Sequence, residues 1–226
     1  MNNPSGLTFA FGETPVSTAK TNRKQPVQSR SQATCAAILE ATIQVLVNQG
    51  IARFTTTRVA ERAGVSVGTL YQYYPNKAAL TEAVRTEYFR VMSEAVISNL
   101  AASKTTTPAD RLGLALEAIL EVKRKHSALS LALAKIPTDE HGSDFSADVV
   151  RHFAAVLVPI VSDKAPVPEA VKTEAHVLVA AIEGALSFAV KNTPEWLDEP
   201  WYAENLKAIA QVGVERMASA LTIPHQ

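Results

Sequence analysis

The residues best suited to chemistry in this sequence are hydroxyl, amide and cationic side chains crowded between Thr55 and Leu80. This segment reads TTTRVAERAGVSVGTLYQYYPNKAAL. Several of its polar residues are of the kind that begins a helix. A helix N-terminus offers unpaired backbone N–H groups and the positive end of a dipole, and both attract anions. The chemistry indicated is the binding of phosphate groups.

Cap and break residues divide the segment into three helices. The first is expected to end near residue 63, the second to span 67–73, and the third to begin at Lys77. Arg58 occupies the position where a capping box would have an acid, so the first of these helix ends is positive. Lys77 is unfavourable for the dipole of its helix, and phosphate binding would explain that cost. The caps are Thr55 or Thr56, Ser66 and Asn76, and the breaks are Gly64 and Pro75.

Two short helices joined by a glycine-containing turn are the geometry of a helix-turn-helix. In that motif the second helix lies in the major groove of DNA while the first crosses the backbone. The stretch from about Arg30 to Leu80 resembles the DNA-binding domain of the tetracycline-repressor (TetR) family of bacterial transcription regulators. The residues AGVSVGTLYQYYPNKAAL carry the resemblance. It implies a recognition helix over Ser66–Tyr74.

The resemblance also implies which side chains touch DNA. A basic residue is frequent in the family at the position of Val67, and its absence here shifts base recognition toward Gln72 and Thr69, with a methyl contact from Val67. Tyr74, beside Leu70, is expected to face the first helix. The phosphate contacts correspond to Thr56, Ser66, Tyr71 and Lys77, with Thr57 and Arg58 beside them, and the base contacts to Val67, Gly68, Thr69, Gln72 and Tyr73.

Composition limits the class of protein. The 226 residues contain 22 Lys or Arg and 22 Asp or Glu, which excludes a uniformly basic nucleic-acid coat. The charge is uneven, however, because residues 1–92 carry ten basic and five acidic residues (+5) while the remainder carries 12 and 17 (−5). The single cysteine, Cys35, excludes a disulfide framework or a multi-cysteine metal site. We find no apolar run near the roughly 18 residues of a membrane span, and we expect a cytoplasmic protein without membrane association.

The whole chain is predicted to be all-α, with eight to ten helices bracketed by prolines. Residues 1–28 are expected to be a mobile basic tail, either a solvated leader or an arm that touches DNA. Residues 29–76 form the predicted helix-turn-helix domain, and residues 77–226 the ligand-binding and dimerisation domain. Gly50 is expected to end the first helix, Thr107 to cap a helix beginning at Pro108, and Pro159 to kink or end another.

The helix predicted at 168–192 has two apolar stripes, one for its own subunit and one for a partner. Glycines inside it and inside the last helix suggest close approach of another helix. The family layout implies that these two helices form a four-helix dimer interface. The alternative is that both helices are central to the core of one monomer. The predicted interface residues are Ala181, Gly184, Phe188, Ile209, Gly213 and Met217.

The same family layout implies that helices four to seven enclose a small-molecule pocket. The alternative for each candidate is ordinary packed core. The predicted lining residues are apolar except for two histidines, His152 and His176, which would supply polar contacts. The apolar candidates are Met92, Leu116, Leu120, Phe153 and Phe188.

No enzyme motif accompanies these features. The five histidines lack paired metal spacing, and the sequence contains no HExxH, GxGxxG, P-loop or G-x-S-x-G pattern, so we expect neither a metal, nor a cofactor, nor catalysis. The predicted function is that of a homodimeric transcriptional regulator, a repressor in the first instance, which binds a palindromic operator and is released by a mostly hydrophobic effector. The alternative is a helical ligand-binding protein or enzyme with a vestigial helix-turn-helix.

Overall fold

The structure is a computed structural model that describes residues 25–105, 107–136, 145–161 and 167–222. Within these ranges every regular element is helical, as the sequence predicted. Most of the predicted tail, residues 1–24, lies outside the described residues. Its last four residues belong to helix α1 (Gln25–Gln49), so this helix begins earlier than the sequence indicated. Pro26 is compatible with that start because proline is tolerated in the first turn of a helix.

Four helices and a short 3₁₀ turn follow one another in the N-terminal half. After α1 come the 3₁₀ turn Ile51–Arg53, α2 (Thr56–Ala63), α3 (Val67–Tyr73) and α4 (Lys77–Ala102). Gly50, with φ +72°, ends α1 in a conformation that residues with a Cβ rarely adopt. An apolar stripe of α1 packs with buried residues of the following elements, and together they form the first core. Its most buried members include Ile38, Val45, Leu46, Phe54, Val59, Leu70, Leu80 and Val84.

Five helices and a second 3₁₀ turn make up the C-terminal half. They are α5 (Pro108–Lys125), α6 (Ser127–Ala134), α7 (Phe145–Val161), α8 (Glu169–Asn192), the 3₁₀ turn Pro194–Asp198 and α9 (Pro200–Thr222). Thr107 caps α5, accepting a hydrogen bond from the Asp110 N–H at 3.2 Å. Pro159 lies inside α7, which ends two residues later. Helix α8 packs on both α7 and α9, and α5 also packs on α9, which makes α8 and α9 the centre of the second core.

The chain divides into two compact units between Thr86 and Glu87. The sequence placed this division at residue 76, where Pro75 ends the preceding helix. The later position reflects tertiary packing, because Leu80 and Val84 at the start of α4 are fully buried and belong to the first unit. Helix α4 therefore contributes residues to both units.

One helix in the described part of the chain is long and apolar enough to cross a membrane. It is α8, with a mean hydropathy of 1.4 over its most apolar window. The sequence expectation concerned uninterrupted apolar runs, and Glu183 interrupts the run in this helix. A central helix of a water-soluble bundle meets the same criteria, and α8 has the packing of such a helix: it contacts α7 and α9 and buries Glu183 beside Lys123 of α5.

Candidate nucleic-acid interface and interior cavity

Helices α2 and α3 are set by side-chain caps and one left-handed glycine. The Thr55 hydroxyl accepts a hydrogen bond from the Arg58 N–H at 3.3 Å, and the Ser66 hydroxyl accepts one from the Thr69 N–H at 3.0 Å. Between the helices, Gly64 adopts φ +70° and ψ +29°, and its N–H bonds back to the last turn of α2. Such a left-handed C-cap is nearly free of strain only for glycine. These local signals produce the predicted helix-turn-helix.

Helix α3 has one buried side and one side open to solvent. Leu70 is fully buried and fixes the inner side. Gly68, Tyr71 and Gln72 are exposed, with Tyr71 retaining 47% of its surface, while Val67, Thr69 and Tyr73 are half-buried. The predicted base-contacting residues therefore all retain some solvent exposure on α3, and this surface is accessible to a molecule as large as a DNA duplex.

Two predicted phosphate contacts from different helices lie side by side. The hydroxyl oxygens of Thr56 in α2 and Tyr71 in α3 are 3.1 Å apart, within hydrogen-bonding distance. Each hydroxyl keeps a further acceptor position, and the pair can orient one donor outward. Thr57, the next residue of α2, is exposed beside them in sequence. The structure thus joins Thr56 and Tyr71 into a single polar group at the surface.

The cap of α3 also engages a predicted base contact. The hydroxyl oxygens of Ser66 and Thr69 are 2.8 Å apart, in addition to the bond that Ser66 accepts from the Thr69 backbone. Both residues retain solvent contact. Ser66 therefore holds the Thr69 side chain in one orientation. A fixed orientation is needed for a side chain to form a specific hydrogen bond with the edge of a base.

Lys77 stands at the start of α4, where Asn76 is the cap. The Asn76 side-chain oxygen accepts a hydrogen bond from the Ala79 N–H at 2.8 Å. The Lys77 Nζ lies 4.9 Å from the ring centroid of Phe54, an aromatic residue that is itself buried. A cation over an aromatic face is stabilised by the ring quadrupole. This contact positions an otherwise exposed ammonium group at a helix N-terminus.

Two arginines of α2 are held by glutamines of α1, a feature that the sequence reading missed. Arg58 Nη1 donates to Gln49 Oε1 at 2.7 Å, and Arg62 Nε donates to Gln44 Oε1 at 2.5 Å. A guanidinium has five N–H donors, so Arg58 keeps others for a phosphate. The spacing of these residues was a signal for the pairing that the sequence offered: Gln44 lies five residues before Gln49 on α1, and Arg62 lies four residues after Arg58 on α2.

Tyr74 occupies the place that the sequence predicted for it. It is half-buried, and burial together with the neighbouring Cys35 of α1 raises its pKa to about 12. Its phenol is therefore neutral and packs toward α1 rather than toward solvent. Burial likewise raises the pKa of the Cys35 thiol, which fits a small packing residue.

The second unit contains a cavity of about 60 Å³, partly open to solvent, among α4, α5, α7 and α8. Three predicted pocket residues, Met92, Leu116 and Phe153, do line it. Nearly all of the lining side chains are apolar. The full set is Met92, Val96, Leu112, Ala115, Leu116, Ile119, Lys123, Val149, Phe153, Val156, Leu157, Val179, Ile182, Glu183 and Leu186.

Four other predicted pocket residues do not line this cavity. Leu120 is buried in the helix core instead. His152 points to the surface, where its Nε2 is 2.8 Å from the Ser93 hydroxyl and its ring stacks on Phe89. His176 is exposed and bonds to its own helix, and Phe188 is exposed as well. The three exposed residues, His152, His176 and Phe188, each lie one helical position away from a buried residue, which rotates the side chain by about 100°.

The polar groups of the cavity are Lys123 and Glu183, neither of which the sequence reading selected. Their Nζ and Oε2 atoms are 3.7 Å apart, and both side chains are almost completely buried. Burial raises the pKa of Glu183, and the positive charges of Lys123 and Lys191 oppose that shift. A signal existed in the sequence, because Lys123 continues the apolar stripe of Leu116 and Ile119 along α5.

The predicted dimer residues separate into two groups. Ala181, Gly184, Phe188 and Ile209 are exposed on the single chain, as an interface with a partner requires. Gly213 and Met217 are buried inside the subunit instead. A Cβ at Gly213 would lie 2.5 Å from the Leu178 side chain, whereas a Cβ at Gly184 would meet nothing within 4 Å. Gly213 therefore permits close packing of α9 on α8 of the same chain.

Comparisons with known proteins agree with this geometry. The family model "Bacterial regulatory proteins, tetR family" matches residues 38–84. The nucleoid occlusion factor SlmA of Actinobacillus pleuropneumoniae serotype 5b (strain L20) is 31% identical over 111 residues, which cover 49% of this chain and 52% of that protein. The chain thus aligns with about half the length of this curated relative.

Two solved structures share the fold of the chain. A TetR-family transcriptional regulator from Streptomyces coelicolor superposes with a TM-score of 0.65 at 20% identity, covering 81% of this chain and 99% of that one. A TetR transcriptional regulator from Rhodococcus sp. RHA1 gives a TM-score of 0.60 at 21% identity, with coverage of 81% and 97%. The match over residues 38–84 shows that the helix-turn-helix segment is similar to bacterial regulatory proteins of the tetR family, and the two superpositions show that the chain shares the all-α fold of those structures.

Proposed function

We propose that the chain is a homodimeric transcriptional regulator, a repressor in the first instance, that binds a two-fold symmetric DNA operator. The observation that carries the proposal is the accessible surface of α3, flanked by the capped N-termini of α2 and α4. Three helix N-termini that carry hydroxyl and cationic side chains can bind several phosphates along a DNA backbone, which fits this surface better than the binding of one small substrate does. The chain then acts by binding in the cytoplasm, where its DNA is, and has no catalytic role.

Phosphate contacts fix the position of the domain on DNA. The hydroxyl pair of Thr56 and Tyr71, the cap Ser66 and the ammonium of Lys77 are the groups proposed to contact the backbone, with Thr57 and Arg58 beside them. The ammonium of Lys77 should contribute most to the salt dependence of DNA binding, because each phosphate neutralised by a cation releases condensed counterions. The ring of Phe54 below it limits the directions in which the ammonium can move.

Base recognition falls to the exposed side of α3. Gln72 has the one long planar polar side chain there, and an amide can make a paired hydrogen bond with adenine. Thr69, held by Ser66, supplies a hydroxyl, and Val67 supplies methyl groups suited to thymine. Gly68 permits close approach of the helix to the groove, and Tyr73 packs at the margin. The expected base preference is therefore rich in A·T pairs.

Assembly into a dimer is supported by the exposed apolar surface of α8 and α9. Of the seven large apolar side chains that are exposed within the described ranges, five lie on these two helices. Exposed large apolar side chains concentrated on two helices in this way suggest an interface with a partner. A second copy is the proposed partner, because two recognition helices related by a two-fold axis read two half-sites. The five residues are Val177, Phe188, Trp201, Ile209 and Val212.

Release from DNA is proposed to follow binding of an effector in the interior cavity. The cavity of about 60 Å³ is smaller than the roughly 150 Å³ of an engineered apolar cavity that admits benzene. An effector must therefore push lining side chains apart, which couples its binding to helix movement. Helix α4 carries Met92 of the cavity and begins at Lys77, so a shift of α4 would move a DNA contact. Inverting a 99:1 population needs a difference of about 5.5 kcal/mol in affinity.

Binding to DNA upstream of the gene that encodes the chain tests this function. Fluorescence anisotropy with a labelled upstream fragment, repeated at several salt concentrations, should give specific binding that weakens steeply as salt rises. An unrelated fragment of equal length is the control. Equal affinity for both fragments would reject specific regulation and favour the alternative of a helical ligand-binding protein or enzyme whose helix-turn-helix is vestigial.

A further inference from the structure

The cavity of the second unit is apolar except at one place. Lys123 of α5 and Glu183 of α8 face each other there, and they retain only 4% and 5% of their surface. The rest of the described lining consists of aliphatic side chains and Phe153. A cavity with one polar site and an apolar remainder selects a ligand with one polar end and an apolar body.

The ion pair is poorly explained as a stabilising element. Removing two charges from water costs several kcal/mol per ion, and apolar residues of similar volume would fill the same space without that cost. The 3.7 Å separation of Nζ and Oε2 is also longer than a hydrogen bond. A third oxygen can lie at about 2.8 Å from both atoms at once. The geometry therefore accommodates a ligand oxygen beside the pair.

The charges around Glu183 decide which ligand is tolerated. Lys123 and Lys191 favour its ionised form, while burial disfavours it more strongly. Tyr88 on α4 bonds to Ser130 on α6 at 2.5 Å, and Tyr202 on α9 also interacts electrostatically with Glu183. Burial raises the pKa values of both tyrosines, so both are neutral near neutral pH. Glu183 is thus the member of this group that can take up a proton.

We propose that the cavity binds an apolar weak acid whose carboxylate pairs with Lys123 while Glu183 is protonated and donates a hydrogen bond to it. The inference rests on the proposed effector function and names its ligand class. Charge balances, because the ligand anion enters, one proton from solvent moves to Glu183, and Lys123 stays positive. A cationic ligand would instead leave two buried cations against one carboxylate, which is costly in a low-dielectric site.

The size of the cavity favours a slender acid. Because the free volume is about 60 Å³, a ligand enters by displacing side chains such as Met92, whose unbranched thioether adapts readily. A straight-chain acid needs less lateral displacement than a ring system does. Octanoate is therefore the test ligand, with octylamine and octanamide as matched cationic and neutral probes of the same chain length.

Calorimetry on the full chain provides the test. Octanoate should bind at least about tenfold more tightly than octylamine or octanamide, since a hydrogen bond to a charged group contributes roughly a factor of ten or more. At pH values above the pKa of Glu183 in the free protein, titrations in buffers of different ionisation enthalpy should show uptake of about one proton per site. The affinity should then fall by up to about tenfold per pH unit as pH rises above the pKa of Glu183 in the free protein.

Variants separate the roles of the two side chains. Glu183→Gln imitates the protonated carboxyl, so octanoate should bind without proton uptake and with little dependence on pH. The double variant Lys123→Met with Glu183→Gln removes both charges and should lose the preference for octanoate over octanamide. Lys191→Gln alters an exposed charge near Glu183 outside the cavity and should keep proton uptake. Circular dichroism checks that each variant is folded.

Three results would overturn the inference at different levels. Octylamine or octanamide binding as tightly as octanoate would reject the acid class while leaving the cavity as an effector site. Octanoate binding with unchanged proton uptake in Glu183→Gln would reject the role of Glu183. Failure of all three probes to bind would reject the acid site and count against the effector cavity as well, whereas DNA binding measured in parallel would remain a separate result.

Discussion

The dimer surface of α8 and α9 can be tested through Phe188. This side chain is 52% exposed on the single chain. Complete burial of a large apolar side chain contributes roughly 1.5–3 kcal/mol, so burying the exposed half contributes about 1 kcal/mol. Both subunits carry the change in a symmetric dimer, and Phe188→Ser should therefore weaken association by about 2 kcal/mol, which is roughly a 30-fold increase in the dimer dissociation constant.

Sedimentation equilibrium measures this constant directly, and a matched control is available. Ile97 is 63% exposed on α4, and Ile97→Ser removes a comparable apolar surface outside α8 and α9. We expect the control to associate like the wild-type chain. Thermal unfolding of both variants identifies any loss of fold, since Phe188 also lies beside Trp196 in its own chain. A dissociation constant unchanged by Phe188→Ser, or changed equally by Ile97→Ser, would refute the proposed interface.

Three further predictions, which use four substitutions, concern other parts of the molecule. Lys77→Ala should weaken binding to all DNA sequences alike and reduce the slope of log affinity against log salt by about one per subunit contact, so an unchanged slope in a salt titration would contradict a phosphate contact. Gly213→Ala should destabilise the chain by about 1–3 kcal/mol, because the added methyl group overpacks against Leu178. Gly184→Ala should stabilise the monomer by up to about 1 kcal/mol, because alanine favours a helix and the added methyl group meets no other atom within 4 Å. Denaturant unfolding in which Gly184→Ala is the less stable of the two variants would contradict this packing. Thr107→Ala removes a helix cap and should lower the free energy of unfolding by about 1 kcal/mol. Hydrogen bonds from Thr107 and Thr105 lower the pKa of Asp110 in the folded chain, so this carboxylate stabilises the fold at pH values above its unfolded pKa, and the stabilisation is lost as pH falls through its folded pKa. The variant should show a weaker dependence of stability on pH, and acid unfolding curves identical to those of the wild-type chain would refute this role.

Local signals explain why the helix-turn-helix could be predicted from sequence. A cap or a left-handed glycine acts within four residues, so Ser66, Gly64 and Gly50 define helix ends without reference to the rest of the chain. The resemblance to the TetR family came from this same stretch. The domain division could not be predicted in the same way, because Leu80 and Val84 join the first unit through contacts distant in sequence.

The assignments in the second unit failed where a helix has two apolar faces. Gly184 and Gly213 give the same signal in sequence, a glycine inside a helix, yet one is open and the other is packed against Leu178. Only the rotation of each helix in the bundle distinguishes them, and that rotation depends on all neighbouring helices. Likewise, Lys123 and Glu183 are 60 residues apart, and their pairing follows from the packing of α5 near α8.

Recognition of DNA by α3 is the central claim, and selection of binding sites from random DNA tests it most directly. The wild-type chain should enrich a two-fold symmetric sequence with half-site centres about one helical turn, or a multiple of it, apart. Gln72→Ala should lose preference at one position in each half-site, equivalent to about 1–3 kcal/mol, while keeping nonspecific affinity. Enrichment of no symmetric sequence by the wild-type chain, or an identical motif from Gln72→Ala, would contradict the reading of bases by α3.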